Sequence, residues 1–153
     1  YCTGNHERYE DLEDIVQRLE SLGVVVLRNR AVMRDGIQFI GIEDHESAKQ
    51  VARVLPFIEI NPDAYSILLY HRPQGLDAAA RHGLDLKLSG HTHAGQIVPF
   101  HLAVNRVFEY TRGLYRFENT WLYVNEGTGT WGPTLRLGTR SEITLFKLSP
   151  PTA

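Results

Sequence analysis

The sequence has a single cysteine, Cys2, among 153 residues. No internal disulfide can form, so a disulfide-stapled scaffold is excluded. No apolar run approaches the roughly 20 residues that a bilayer span needs; the longest, "VVVL" and "YSILLY", are strand-sized. The opening residues lack the charged, apolar and small-residue order of a signal peptide. Positive charge is not in excess: 16 Lys and Arg stand against 18 Asp and Glu, a net charge of −2. The basic residues are scattered and carry no interleaved aromatics, so the electrostatic footprint of nucleic-acid binding is missing. Internal repeats, low-complexity tracts and linkers are absent as well. The remainder is ordinary for a globular chain, with 42% hydrophobic and 22% charged residues. The length suits one domain, residues 1–153, able to bury roughly 70% of its unfolded surface.

Periodicity assigns the elements. "RYEDLEDIVQRLESLG" places Leu12, Ile15, Val16, Leu19 and Leu22 at helical spacing, with acids in the early turns and Gly23 at the C-terminal cap. "VVVL" at 24–27 reads as a buried strand, and "AVMRDGIQFIGI" as a hairpin turning at Asp35-Gly36. "ESAKQVARVLPFI" reads as a second helix ending near Pro56. "YSILLY" at 65–70 and "LDLKLSG" at 84–90 are strands on either side of a short helix, "GLDAAARHG", capped by Gly83. Beyond residue 100, aromatic and β-branched segments at 114–117, 121–124 and 142–148 read as antiparallel strands. The order predicts an α/β (α+β) chain with helices flanking layered mixed sheets.

Three polar clusters follow apolar strands directly: "GNHE" at 4–7, "YHRP" at 70–73 and "GHTH" at 90–93. In open α/β sheets ligands bind beyond the carboxyl ends of strands, where such clusters converge if their strands are neighbours. His91 and His93 are separated by one residue. Two imidazoles so close repel when protonated, and a metal needs them neutral. Gly90 and Gly95 are expected to let the backbone crowd around them. Three imidazole nitrogens and one carboxamide suit Zn, Mn, Fe, Co or Ni better than Ca or Mg.

Gly4-Asn5-His6-Glu7, then His71 after a strand, then Gly90-His91-Thr92-His93 resemble, in order and spacing, the later motifs of the calcineurin-like metallophosphoesterases. "DLKLSGHTHAGQI" and "VNEGTGTWGPTLRLGTRSEITLFKL" further resemble the branch that includes membrane-associated bacterial phosphodiesterases. The resemblance covers nearly the whole chain. It implies a β-sandwich of mixed sheets with helices outside, and a binuclear site of two divalent transition-metal ions. In that site Asn5, His71 and His91 bind the second ion and His93 the first. His6 is no ligand but acts as general acid or stabilises charge on the leaving group. The implied reaction is hydrolysis of a phosphodiester or related phosphoester by metal-bound hydroxide, with phospholipid-like or nucleotide-sugar-like substrates. Ala94 stands where this branch usually has glycine.

The family's earlier motifs, Asp-x-His and Gly-Asp-x-x-Asp, are missing. The chain is therefore expected to be the C-terminal portion of a longer domain, inactive and weakly metal-binding by itself. Loss of the N-terminal strands implies uncovered sheet edges and self-association, or a missing partner segment. Membrane attachment or export would reside in that segment. Two other readings compete: a non-catalytic metal-binding or scaffold domain with the same fold, and an unrelated hydrolase with one zinc on His71, His91 and His93. Other residues receive plainer roles. His45 is an exposed loop histidine, and His82 a helix C-terminal residue. Arg72 is a surface arginine. "EGTGTWGP" at 126–133 is a loop with Trp131 near the cleft mouth, and His101 has no evident partner.

Overall fold

The computed structural model describes residues 1–149. Six strands form one mixed sheet: β1 (Arg30–Arg34), β2 (Ile37–Ile42), β3 (Tyr65–Tyr70), β4 (Leu86–Ser89), β5 (Gly113–Phe117) and β6 (Thr120–Val124), in the order β1-β2-β3-β4-β6-β5. The four central strands, β2, β3, β4 and β6, run parallel, and antiparallel β1 and β5 close the two edges. Four helices accompany the sheet: α1 (Leu12–Ser21), α2 (Gln50–Val54), α3 (Leu76–Arg81) and α4 (His101–Val107). None of them is long and apolar enough to cross a membrane.

The β1–β2 hairpin turns at Asp35 and Gly36, both with positive φ, as a two-residue type I′ connection demands. The register puts Ile40, Leu68, Lys87 and Leu122 side by side on one face. That face carries the core, in which Ile40, Ile42, Leu68 and Tyr70 pack with Val51 and Leu55 from the α2 region and with Ala78, Ala79 and Leu84 around α3. Leu76 joins Leu122 and Val124 farther along the sheet. Asp11 caps α1 by accepting from the Asp14 N–H.

Mixed α/β architecture with flanking helices is what the periodicity predicts, but several elements differ. Residues 24–27 are buried at Val26 and Leu27, yet they form no strand of the sheet. Tyr1 pairs with them, its carbonyl accepting from Leu27 N and its amine donating to the Val25 carbonyl, while Val24 N donates back to the Leu19 carbonyl and the Val26 carbonyl accepts from the Arg30 side chain. The second helix is five residues long and passes into a 3-10 turn at Leu55–Phe57, where Pro56 cannot donate a helical hydrogen bond. Residues 142–148 are irregular rather than a strand; Tyr123 and Thr144 bond Glu142 there, and Phe146 packs edge-on against Tyr123. The sheet is single among the described residues, with no second layer.

Candidate metal centre

Parallel β2, β3, β4 and β6 deliver their C-terminal loops to one edge of the sheet. His71 immediately follows β3, and His91 stands two residues after β4. Asn5 reaches the same edge from the N-terminal segment, on a turn whose Gly4 N–H donates to the Glu7 carboxylate at 2.7 Å. Gly4 is needed for the approach, because a Cβ there would stand 3.0 Å from His71 Nδ1.

Three donor atoms meet at this edge. Asn5 Oδ1 lies 2.8 Å from His71 Nε2 and 3.1 Å from His91 Nδ1, and the two ring nitrogens lie 3.1 Å apart. Cis ligands on a metal with bonds of about 2.1 Å are separated by about 3.0 Å, and tetrahedral ligands by about 3.4 Å. The triangle thus has the dimensions of one face of a five- or six-coordinate transition-metal site. Among the described residues no three His, Cys, Asp or Glu side chains gather to hold an ion; the trio reaches three donors through a carboxamide oxygen. Burial lowers the His71 pKa, and burial together with neighbouring His71 pushes His91 down to about 4. Burial thus favours the neutral rings, each of which has one unprotonated nitrogen. The donor set therefore fits a borderline transition ion.

His93 sits apart from the trio but on the same cleft. Its Nδ1 lies 3.3 Å from Arg136 Nη2. His6 is exposed and stacks edge-on with Tyr9 at 5.8 Å. All five residues line one cavity of about 410 Å³, whose other walls are Tyr9, Thr92, Phe100, Ala103, Val104, Val107, Phe108 and Trp131. Most of that wall is apolar.

The loop after β4 is bent tightly. His91, His93, Ala94 and Gln96 all have positive φ, a conformation that costs a side-chain-bearing residue roughly 1–2 kcal/mol. Gly95 at φ +80° is required twice over, since a Cβ there would lie 2.3 Å from His101 Cα. Gly90, in contrast, has an ordinary φ and open space, the nearest atom being 3.8 Å away; only Gly95 provides the crowding expected of the pair. Thr92 Oγ1 donates to the Thr111 carbonyl at 2.6 Å, and buried Gln96 fixes the Trp131 loop by bonding the carbonyls of Trp131 and Pro133 and the Trp131 N–H.

His45 is an exposed loop residue, His82 Nδ1 bonds the Ala78 carbonyl at the end of α3, and Trp131 lines the cleft, each as expected. Arg72 is not a free surface residue. It grips Asp44 with Nε at 2.7 Å and Nη2 at 3.2 Å, and the Asp44 side chain is fully buried. Helix α4, Gln96, Phe108 and Arg136 had no place in the sequence reading. The "LRLG" at 135–138, an arginine between two leucines before Gly138, is the one available signal for Arg136.

Known proteins match along almost all of the chain. A metallophosphoesterase of Helicobacter pylori is 39% identical over 98% of this chain and 42% of its own length. One from Aquifex aeolicus is 32% identical over 97% of this chain and 56% of its own length. A transmembrane protein with a metallophosphoesterase domain from Bos taurus is 36% identical over 94% of this chain and 37% of its own length. The chain thus spans about two-fifths of the length of the first of these relatives. No family model and no solved structure matches. With these identities sustained across nearly every residue described above, the chain belongs to the metallophosphoesterase family.

Proposed function

We propose that the protein hydrolyses phosphoesters, with Asn5, His71 and His91 holding one divalent transition ion and His93 facing the position of a second. The observation that carries this reading is the donor triangle of 2.8, 3.1 and 3.1 Å at the carboxyl edge of parallel strands. When bound, such ions neutralise phosphoryl charge and lower the pKa of water. The carboxylate ligands of a binuclear site are not among the clustered residues and would come from outside residues 1–153.

The chain's own residues supply the rest. Neutral His71 and His91 can present an unprotonated nitrogen by a tautomer shift, with no net loss of a proton. Gly4 and Gly95 hold two loops at close range, so the donors are placed before a ligand arrives. His6, on the open side of the cleft, donates a proton to the departing oxygen, a role worth typically 10²–10⁴-fold. The apolar wall of α4, Phe108 and Trp131 favours phosphodiesters carrying an apolar group, lipid-like rather than nucleotide-sugar-like, beside the phosphate.

The test uses the full-length protein with Mn and bis-(p-nitrophenyl) phosphate. His71→Ala and His91→Ala are expected to lose both turnover and one equivalent of bound metal. His6→Gln is expected to lose at least 100-fold in kcat with metal content unchanged. Metal content unaffected by His71→Ala would overturn the ligand assignment. Full turnover in His6→Gln would overturn the proton-donor role.

A further inference from the structure

Arg136 stands 3.3 Å from His93 Nδ1. A guanidinium is always charged and has only hydrogens to offer. His93 Nδ1 must therefore be the acceptor of this contact, and the proton of the neutral ring then lies on Nε2. Both nitrogens of His93 are committed, one to Arg136 and one to its proton.

Resting on the functional reading above, we infer that Arg136 blocks His93 as a metal ligand, so that an ion is taken there only when Arg136 lets go. A metal requires an unprotonated ring nitrogen with a free lone pair. At Nδ1 it would have to displace the guanidinium. At Nε2 it would force the proton to Nδ1, where one N–H would face another. Either route breaks the contact. Among the described residues no cationic side chain is bonded to the donor atoms of Asn5, His71 and His91, so an ion there need only shift ring protons to the opposite nitrogens, whereas an ion at His93 must also evict an arginine.

The eviction has a local destination. Arg136 has other anchors besides His93: Nη2 shares its two hydrogens with the carbonyls of Glu126 at 2.7 Å, Gly127 at 3.2 Å and Gly129 at 2.6 Å, Nε donates to the Gly129 carbonyl at 3.2 Å, and Nη1 donates to Thr139 Oγ1 at 3.2 Å. Loss of the His93 contact returns the shared hydrogens to these carbonyls, so a released Arg136 keeps partners on its own loop. Gly127 lies against both partners, and a Cβ there would stand 3.5 Å from Arg136 Nη2 and from His93 Cε1. The same loop carries Trp131 at the cleft wall, which links occupancy at His93 to the loop that shapes the substrate cavity.

The experiment titrates the metal-free full-length protein with Zn²⁺ and follows His93 by long-range ¹H–¹⁵N NMR, assigned with His93→Gln. The expected result is an Nε2–H ring before metal that changes only with the second equivalent, together with the Arg136 guanidinium resonances. In parallel, calorimetry on Arg136→Met is expected to show the second equivalent binding at least 10-fold tighter and the first unchanged. An Nδ1–H ring in the metal-free protein, or Arg136 resonances unmoved through two equivalents, would overturn the inference even if Arg136→Met disturbs its loop. If no equivalent binds at Asn5, His71 and His91, the functional reading itself fails. A normal first equivalent with His93 uncoupled from Arg136 defeats this inference alone.

Discussion

Adding one methyl group at Gly95 should cost far more than removing one at its neighbour Ala94. Gly95 has φ +80°, and its missing Cβ would lie 2.3 Å from His101 Cα and 2.6 Å from His101 N. Both obstacles are backbone atoms of α4, so no side chain can swing aside. Alanine in the left-handed region costs roughly 1–2 kcal/mol, and forced overpacking adds about 1–3 kcal/mol. Stiffening of the unfolded chain returns about 0.4–1 kcal/mol. Gly95→Ala is thus expected to destabilise by about 2–4 kcal/mol. Ala94 is also left-handed, at φ 50°, and is 6% exposed. Ala94→Gly relieves about 1–2 kcal/mol of strain, loses about 0.4–1 through the freer unfolded chain, and gives up about 0.8 for the buried methyl. The sum is close to zero. Urea unfolding of the two full-length variants measures both numbers. A Gly95→Ala protein within 0.5 kcal/mol of the parent would refute the claim that α4 and the His91–Gly95 loop meet backbone to backbone.

Three further outcomes follow from other parts of the fold. Asp44→Asn should cost about 3 kcal/mol, because it strips the half-buried Arg72 guanidinium of its fully buried partner; thermal unfolding indistinguishable from the parent would contradict the pairing. Lys87 is fully buried and donates to the Arg72 carbonyl and Ser89 Oγ, and burial pushes its pKa from 10.5 down to about 7. Between those values the unfolded chain binds more protons than the folded one, so stability should rise with pH by up to about 1.4 kcal/mol per unit. The cost of the buried charge is fully present below pH 7 and disappears as the pH passes through that window. Lys87→Met should flatten the rise, and parallel pH–stability curves for the two proteins would exclude the buried ammonium as its source. Chelation should lower the melting temperature of the parent, since metal at 100 times its dissociation constant adds about 2.7 kcal/mol, but should shift His91→Ala much less; equal shifts would place the stabilising ion elsewhere.

The gathering of Asn5, His71 and His91 was legible in the sequence because each follows a strand or turn with strong local signals. "YSILLY" and "LDLKLS" can bury both faces only as central strands, and parallel neighbours bring His71 and His91 to one edge. The Asp35-Gly36 hairpin was equally plain. Less was legible where tertiary packing overrides local preference. The "VVVL" segment is as strand-like as any in the chain, yet its backbone bonds go to Tyr1 and to Leu19 at the end of α1 rather than to a strand of the sheet. Helix α4 was hidden because "HLAVNRV" offers just Val104 as a buried residue, too little periodicity to register. Arg72 looked like a surface cation because its partner, Asp44, lies 28 residues earlier on the loop after β2; no local pattern announces such a pair. Lys87 departs furthest from expectation, occupying a core position between Leu68 and Leu122 with its charge directed at a carbonyl and a hydroxyl.

Anomalous X-ray diffraction at the manganese edge, on crystals of the full-length protein grown with Mn²⁺, addresses the account most directly. It predicts an ion about 2.1–2.3 Å from Asn5 Oδ1, His71 Nε2 and His91 Nδ1 together. An anomalous peak bound by none of these three, or full occupancy elsewhere with the trio bonded only to itself, would contradict it.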